Sequence, residues 1–514
     1  MSDASLFQPL QKLPPMASGW RHLAVNTQST HLPELNQKVK VPLLSLVHIS
    51  DTHICDAQSP ARVEYLDRFA DPHHPVAAMI GSLIGTYRAQ EILTVQVLQS
   101  MIQTINKIES APVTGTAIDA VIITGDLTDN AQINELHWCS TLLEGGTINP
   151  DSGSPERWEG AGGDRYSPFF WNPHGTPPGE RDDFPRALYG FPEIPELLDA
   201  VRAPLSSPGI KYEVLPVHGN HDALLQGTVA PDQFLRDLAK SDLKIFELPD
   251  EEAFRALGNV TEVGPARYPA PGNPTYMPVT PDDSRDFVDA MAWSSRFTLY
   301  SQQGEIKYWR KDFEHITLLA LDTVNPFGGW QGSLDQGQMN WLRNQLDSLD
   351  NRLVVITSHH PLEDMFNDYT PHAEPRVSRD EIERLLVSKK QVIAWICGHT
   401  HRHRIKYFGS DSNQGFWQIE TASLIDWPQQ GRTIEIFINE DEQICIATAP
   451  FDHQGVTHQD FKKIDITDIN HLAGLSRDLA VNDWQRRTGL YPIEFNEGNQ
   501  SDQAALLLLT NRLV

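Results

Sequence analysis

Five short polar motifs hold the residues best able to do chemistry: DTH with Asp51 and His53, GDLTD with Asp126, GNHD with Asn220, His221 and Asp222, SHHP with His359 and His360, and GHTHRH with His399, His401 and His403. Residues two apart on an extended segment project to one side. Asp51 and His53 therefore offer an oxygen and a nitrogen to one cation, and His399 and His401 offer two nitrogens. Gly125 lets the backbone turn sharply before Asp126, whose two oxygens can bridge a pair of cations. Taken singly, Asp-x-His is a chance pairing and Asp126 is equally a helix cap. Asn220 adds a neutral carbonyl oxygen. His221 suits work on a leaving group, with Asp222 expected to fix its tautomer and raise its basicity. In SHHP one imidazole can point into a site while its neighbour points away, which leaves His359 and His360 both open.

Taken jointly, two Asp, one Asn and four His make a mixed nitrogen and oxygen set with no thiolate. Such a set suits Mn, Fe, Zn, Co or Ni and disfavours a Cys-type structural zinc. Seven donors are too many for one tetrahedral ion. Two divalent or mixed-valence transition-metal ions sharing a carboxylate account for them.

The elements that must position these motifs are apolar, β-rich runs at 41–50, 117–124, 211–218, 351–358 and 391–397, each ending in one of the motifs. Segments 86–110 and 334–349 carry apolar residues at helical spacing. Strand, motif, then helix predicts a layered α/β architecture with its chemistry at strand ends. Residues 1–41 are polar and rich in Pro and Gln, and read as an arm laid over the surface. The main domain is expected over 42–450. Insertions at about 144–190 and 228–300 are dense in Gly and Pro, and suit either substrate lids or inert decoration. Residues 451–514 are expected to form a mostly helical cap.

Composition narrows the partners. In 514 residues, 41 Lys+Arg stand against 68 Asp+Glu, a formal net charge of −27. Such a surface repels nucleic acid and anionic membranes, so neither is an expected partner, and an anionic substrate needs a local positive centre such as bound metal. Four scattered cysteines suit a reduced, cytoplasmic compartment. No run approaches the roughly 20 apolar residues of a membrane helix, and the N-terminus lacks the pattern of a classical export signal.

The ordered series DTH, GDLTD, GNHD, SHHP and GHTH, spread from residue 51 to 401, resembles the calcineurin-like metallophosphoesterase superfamily. LDTVNPFGGWQGSLDQGQMNWLRNQL at 321–346 is similar to that family's run before its HHP strand. The resemblance implies a four-layer αββα sandwich rather than the doubly wound sheet that periodicity alone suggests. It implies that Asp51, His53 and His401 hold one metal, that Asn220, His359 and His399 hold the second, and that Asp126 bridges them. The family's His-x-Pro spacing selects His359 over His360. His221 is similar to the family's acid or phosphate-orienting histidine. The GNHD and HHP forms look closer to the cyclic-nucleotide and glycerophosphodiester phosphodiesterases than to the Ser/Thr protein phosphatases.

The expected activity is hydrolysis of a small phosphodiester by a metal-activated hydroxide. A phosphomonoesterase using the same site is the alternative. A non-catalytic scaffold of the same fold should have lost ligands or His221, and a nuclease should carry a basic groove. Cys55 and Cys397 neighbour the motifs but read as small buried thiols, and His73 and His74 read as a surface turn. Arg165, Tyr166, Phe169, Phe170, Trp171 and His174 in the first insertion could contact substrate or serve aromatic packing.

Overall fold

The computed structural model describes residues 4–34, 38–77, 87–250, 274–299, 306–349, 352–371, 375–411, 414–487 and 492–512. Numbered in chain order, the strands of the two large sheets begin with β1 (Val39–Ile49), β2 (Ala120–Ile123), β3 (Val214–Pro216), β4 (Trp309–Asp312), β5 (Ile316–Ala320) and β6 (Leu353–Thr357). They continue with β7 (Val392–Cys397), β8 (Arg404–Asp411), β9 (Gln414–Glu420), β10 (Gln430–Asn439), β11 (Ile444–Asp452) and β12 (Ala505–Leu509). One six-stranded sheet runs β12-β11-β10-β1-β2-β3, the other β4-β5-β6-β7-β9-β8. In the first, β1, β2 and β3 are parallel; in the second, β5, β6, β7 and β9 are parallel. Antiparallel strands flank both groups.

Parallel strands are stable when covered on both faces, which calls for near-continuous apolar runs. AVII in β2 and LVVIT in β6 are such runs, and every residue of both is buried. The alternation of β5 shows what lies on each side. Ile316, Leu318 and Ala320 join the large core shared with the first sheet, while Leu319 and the following Leu321 join a second core. That second core is completed by α3 (Gln336–Ser348) through Met339, Leu342 and Leu346, and by α4 (Arg379–Ser388) through Ile382 and Leu386. The three-and-four spacing of these residues puts them on one helix face. Two earlier helices, α1 (Thr94–Lys107) and α2 (Ile133–Glu144), contribute Leu98, Met101, Ile105, Leu136 and Leu142 to the shared core. This is a mixed α/β fold built on two sheets, as the resemblance implied, not a single doubly wound sheet.

The terminal segments are tied to this frame. In the N-terminal arm, Leu10–Lys12 pairs with Leu23–Val25, and Trp20 is buried edge-on to Phe191 and Phe461. The C-terminal segment carries several helical elements and, at its end, one strand. After α5 (Ile469–Ala480), ALLLL forms β12 and extends the first sheet along β11. Leucine favours helices in isolation, but an unpaired strand edge offers these residues a full hydrogen-bond ladder and a buried face. The Pro-rich passage of the second insertion at 263–273 lies outside the described residues. No described helix is long and apolar enough to cross a membrane.

Candidate metal centre

All five motifs sit where parallel strands end: DTH after β1, GDLTD after β2, GNHD after β3, SHHP after β6 and GHTH after β7. In open α/β sheets the carboxyl ends of the strands are where ligands bind. Backbone bonds then join the loops. Asp51 N–H donates to Gly125 O at 3.1 Å and His53 N–H to Asp126 O at 2.9 Å. Gly398 N–H donates to His359 O at 3.0 Å. His399 N–H crosses between sheets to the Asp51 carboxylate, at 3.2 and 3.1 Å from its two oxygens.

This convergence carries backbone strain. Asp51, His53, Asp126, His399 and His401 all have φ between 43° and 69°, the left-handed region that side chains avoid. Each such residue costs roughly 1–2 kcal/mol, and strained residues of this kind cluster at functional sites. Gly125, at φ 89°, is a close approach as well: a Cβ there would lie 2.7 Å from His359 Nδ1 and 2.8 Å from Gly219 Cα.

The side chains form linked groups. Asp51, His53 and His401 each bring a ligand atom within 4.8 Å of one another, as do Asp51, Asp126 and His359, and His359, His360 and His399. Asp126 lies between the first and last of these, with Oδ2 3.6 Å from His53 Nε2 and 3.2 Å from His359 Nε2. The ring tautomers follow from the partners of the other nitrogens. His53 Nδ1 meets Asp129 Oδ1 at 2.9 Å, and His401 Nδ1 meets Asp426 Oδ2 at 2.8 Å. Both Nδ1 atoms donate to these carboxylates, which turns the two Nε2 atoms toward each other at 3.1 Å. His359 Nδ1–H donates to Thr124 O at 2.6 Å, which turns its Nε2 toward Asp126 and to 3.1 Å from His399 Nδ1. Ring nitrogens brought this close around one carboxylate are placed to share a cation. Asn220 Oδ1 is buried without a hydrogen-bond partner, while its amide donates to Gly227 O at 3.0 Å. Hard and borderline cations satisfy both features, so the donor set fits metal.

Electrostatics agree. Burial acts to neutralise Asp51 and Asp126, but the neighbouring His401 and His359 outweigh it and hold both carboxyls below their usual range. Burial likewise opposes charge on His359 and His401, yet the facing carboxylates raise each to about 9. These imidazoles are therefore strong bases, as good cation ligands are.

His360 differs from His359. Its Nδ1 is bonded to Thr323 Oγ1 at 2.7 Å and its Nε2 to Trp330 O at 2.9 Å, so both nitrogens are occupied. Burial lowers its pKa to about 3. His403 is also engaged elsewhere, with Gln430 and Arg432. The expected pairing of Asp222 with His221 is not formed. Asp222 accepts from the backbone N–H groups of Leu127, Thr128 and Gly219 at 2.9–3.0 Å, tying two motif loops together. The group on His221 Nδ1 is instead the Asp129 carbonyl, at 2.6 Å. A carboxylate between three convergent amides has no geometry left for the adjacent ring.

Asp129 and Asp426, which orient the His53 and His401 rings, were not among the candidate site residues read from the motifs. Asp129 was in plain view as the last residue of GDLTD, whereas Asp426 sits after β9 with no motif around it. Asp129 is bonded to Arg62. Asp426 receives Arg88 at 2.9 Å and Arg486 at 2.8 Å. Burial opposes ionisation of both carboxyls, and these guanidiniums hold both well below the usual range. Among the residues set aside, Cys55 and Cys397 are buried thiols pushed up by burial. His74 packs on Phe69. Phe170 and Trp171 lie in an aromatic cluster with Trp20, Tyr87, Phe191 and Trp484, and Arg165 sits over the Phe246 ring.

Carboxylates, an amide and imidazoles gathered at strand ends of two sheets define a metal-binding class of site. The family model for "Calcineurin-like phosphoesterase" matches residues 188–403. That match spans 216 of the 514 residues and takes in the GNHD, SHHP and GHTH motifs. The chain is similar to a "Probable glycerophosphodiester phosphodiesterase GpdQ" of Arcobacter nitrofigilis, 29% identical over 103 residues, which are 20% of this chain and 37% of that protein. Among solved structures it is similar to a dimetal phosphatase from Danio rerio, at 12% identity and TM-score 0.37 over 80% of this chain and 97% of that one. It is also similar to purple acid phosphatase PPD1 from yellow lupin seeds, at 9% identity and TM-score 0.33 over 85% of this chain and 55% of that one.

Proposed function

We propose that this protein is a dinuclear metal-dependent phosphodiesterase acting on a small phosphodiester. The observation that carries the reading is the convergence of ring nitrogens, His53 against His401 and His359 against His399, on either side of the ionised Asp126. We assign Asp51, His53 and His401 to one cation, Asn220, His359 and His399 to the other, and Asp126 to both. Bound there, the two cations would supply positive charge for the phosphate oxygens and lower the pKa of a water. The chain's own residues do the rest. Asp129 and Asp426 hold the rings of His53 and His401 in the ligating tautomer. His221, whose Nδ1–H rests on the Asp129 carbonyl, has Nε2 free to meet the departing ester oxygen. Burial brings the free His221 ring to about 4, so it is neutral before substrate arrives. An arriving phosphate is the negative charge that raises it again.

The diester preference draws its support from the GNHD and HHP forms and from the partial likeness to a glycerophosphodiester phosphodiesterase. Its test compares bis-p-nitrophenyl phosphate with p-nitrophenyl phosphate, using metal-stripped protein with and without Mn²⁺. Metal-dependent preference for the diester is expected. Preference for the monoester would instead make the protein a phosphatase, and hydrolysis of neither would remove the enzymatic reading.

A further inference from the structure

Beside the metal centre stand two large aromatic side chains that the fold leaves open. Trp330 is 41% exposed and Phe366 46% exposed. The Trp330 indole lies nearly parallel to the His399 imidazole, at 18° with centroids 5.8 Å apart, and Phe366 meets the indole edge-on at 6.0 Å. Exposed aromatics are common on protein surfaces. What sets this pair apart is its contact with a ring of the metal cluster and the rigidity of its support.

The two loops that carry the rings are locked together by buried amides. Asn367 donates to Gly328 O at 2.9 Å and to Gln331 O at 3.1 Å, and Asn325 donates to Asn367 Oδ1 at 2.8 Å. Asn367 N–H meets Gly332 O at 3.0 Å, and the Trp330 carbonyl accepts from His360. A flat ring held this firmly, one imidazole away from where the phosphate would sit, is preorganised to stack on a group joined to that phosphate.

We propose that Trp330 and Phe366 form the subsite for a planar aromatic group, such as an aryl ring or nucleobase, carried by the ester. The inference rests on the phosphoester reading above and narrows its substrate class. Stacking of a base on an aromatic side chain is sequence-tolerant and strong enough to shift affinity about tenfold or more.

Non-hydrolysable phosphonates separate the two readings, because binding is measured without turnover. Calorimetric titration of the Mn²⁺-loaded protein should show phenylphosphonate binding about tenfold more tightly than methylphosphonate or cyclohexylphosphonate. In Trp330→Ala the phenyl-to-methyl ratio should fall toward one, and Trp330→Phe should restore most of it. A ratio near one in the unmodified protein, a ratio that survives Trp330→Ala, or equal affinity for the cyclohexyl compound would overturn the aromatic subsite alone. Binding of none of the three would overturn the phosphoester reading itself.

Discussion

Asp126 is the residue on which the two halves of the site depend, because its carboxylate faces His53 on one side and His359 on the other. Asp126→Asn replaces the anionic carboxylate between the imidazole nitrogens by a neutral amide. It should abolish diester hydrolysis and reduce bound Mn²⁺ below two per chain, read by elemental analysis after dialysis; two retained ions and full activity would remove the bridging assignment. His221 has a different part. Its side chain is held by the Asp129 carbonyl, so His221→Ala should keep both metals yet lose about 10²–10⁴ in kcat. An unimpaired rate at full metal content would show that the departing oxygen needs no help from this ring. Four of the seven proposed ligand positions, Asp51, His53, His399 and His401, were legible as short-range patterns, since Asp-x-His and His-x-His encode their own geometry on an extended chain. His359 against His360 was not, because adjacent residues differ only in which neighbours their rings meet, here Thr124 O against Thr323 and Trp330.

At the scale of elements, the second support of the site comes from outside the motif-bearing strands. Asp426 follows β9, and its two guanidinium partners come from the start of the α1 region and from beyond α5. Arg486 also donates to Asn496 at 2.8 Å, so the C-terminal segment braces the His401 ring at one remove. Arg486→Leu should weaken Mn²⁺ binding by about 10–100-fold, the range typical when a ligand's supporting partner is lost. Competition against a chelator measures this, with Arg486→Lys expected to recover part of the loss; unchanged affinity in Arg486→Leu would confine the C-terminal segment to packing. Sequence periodicity located β1, β2, β3, β6, β7 and α3 because each buries a regular apolar pattern. It carried no sign of β12, where four consecutive leucines have no period and the open edge of β11 selects a strand.

For the whole molecule, an excess of acid is carried into the interior as well as on the surface. Arg62, 4% exposed, is bonded to Glu91 and Asp129 and lies 3.7 Å from Glu64. Asp67 nearby is also buried, and desolvation raises it to about 7 despite the attraction of Arg62. A carboxyl whose folded pKa lies above its unfolded value near 4 binds its proton more tightly when folded. Its effect on stability is therefore most favourable below about pH 4 and is lost as pH rises toward 7. Asp67→Asn removes that loss. The variant should gain more in Tm over the unmodified protein at pH 8 than at pH 5, measured by thermal unfolding of the metal-free forms. An equal gain at both pH values would mean that Asp67 is already ionised in the fold.

The sequence by itself determined the donor chemistry and its order along the chain, because spacing within an extended segment sets which side chains share a side. It also determined the apolar strands that deliver each motif, since burial on two faces demands runs such as AVII and LVVIT. Only the tertiary structure decided which loops meet. The Asp51–His399 bond between sheets, the pairing of His221 with Asp129 rather than Asp222, and the arginine-backed Asp426 all join residues 92–348 positions apart or lacking a motif. Contacts of that kind follow from how two sheets pack over a shared core, and local spacing carries no record of it.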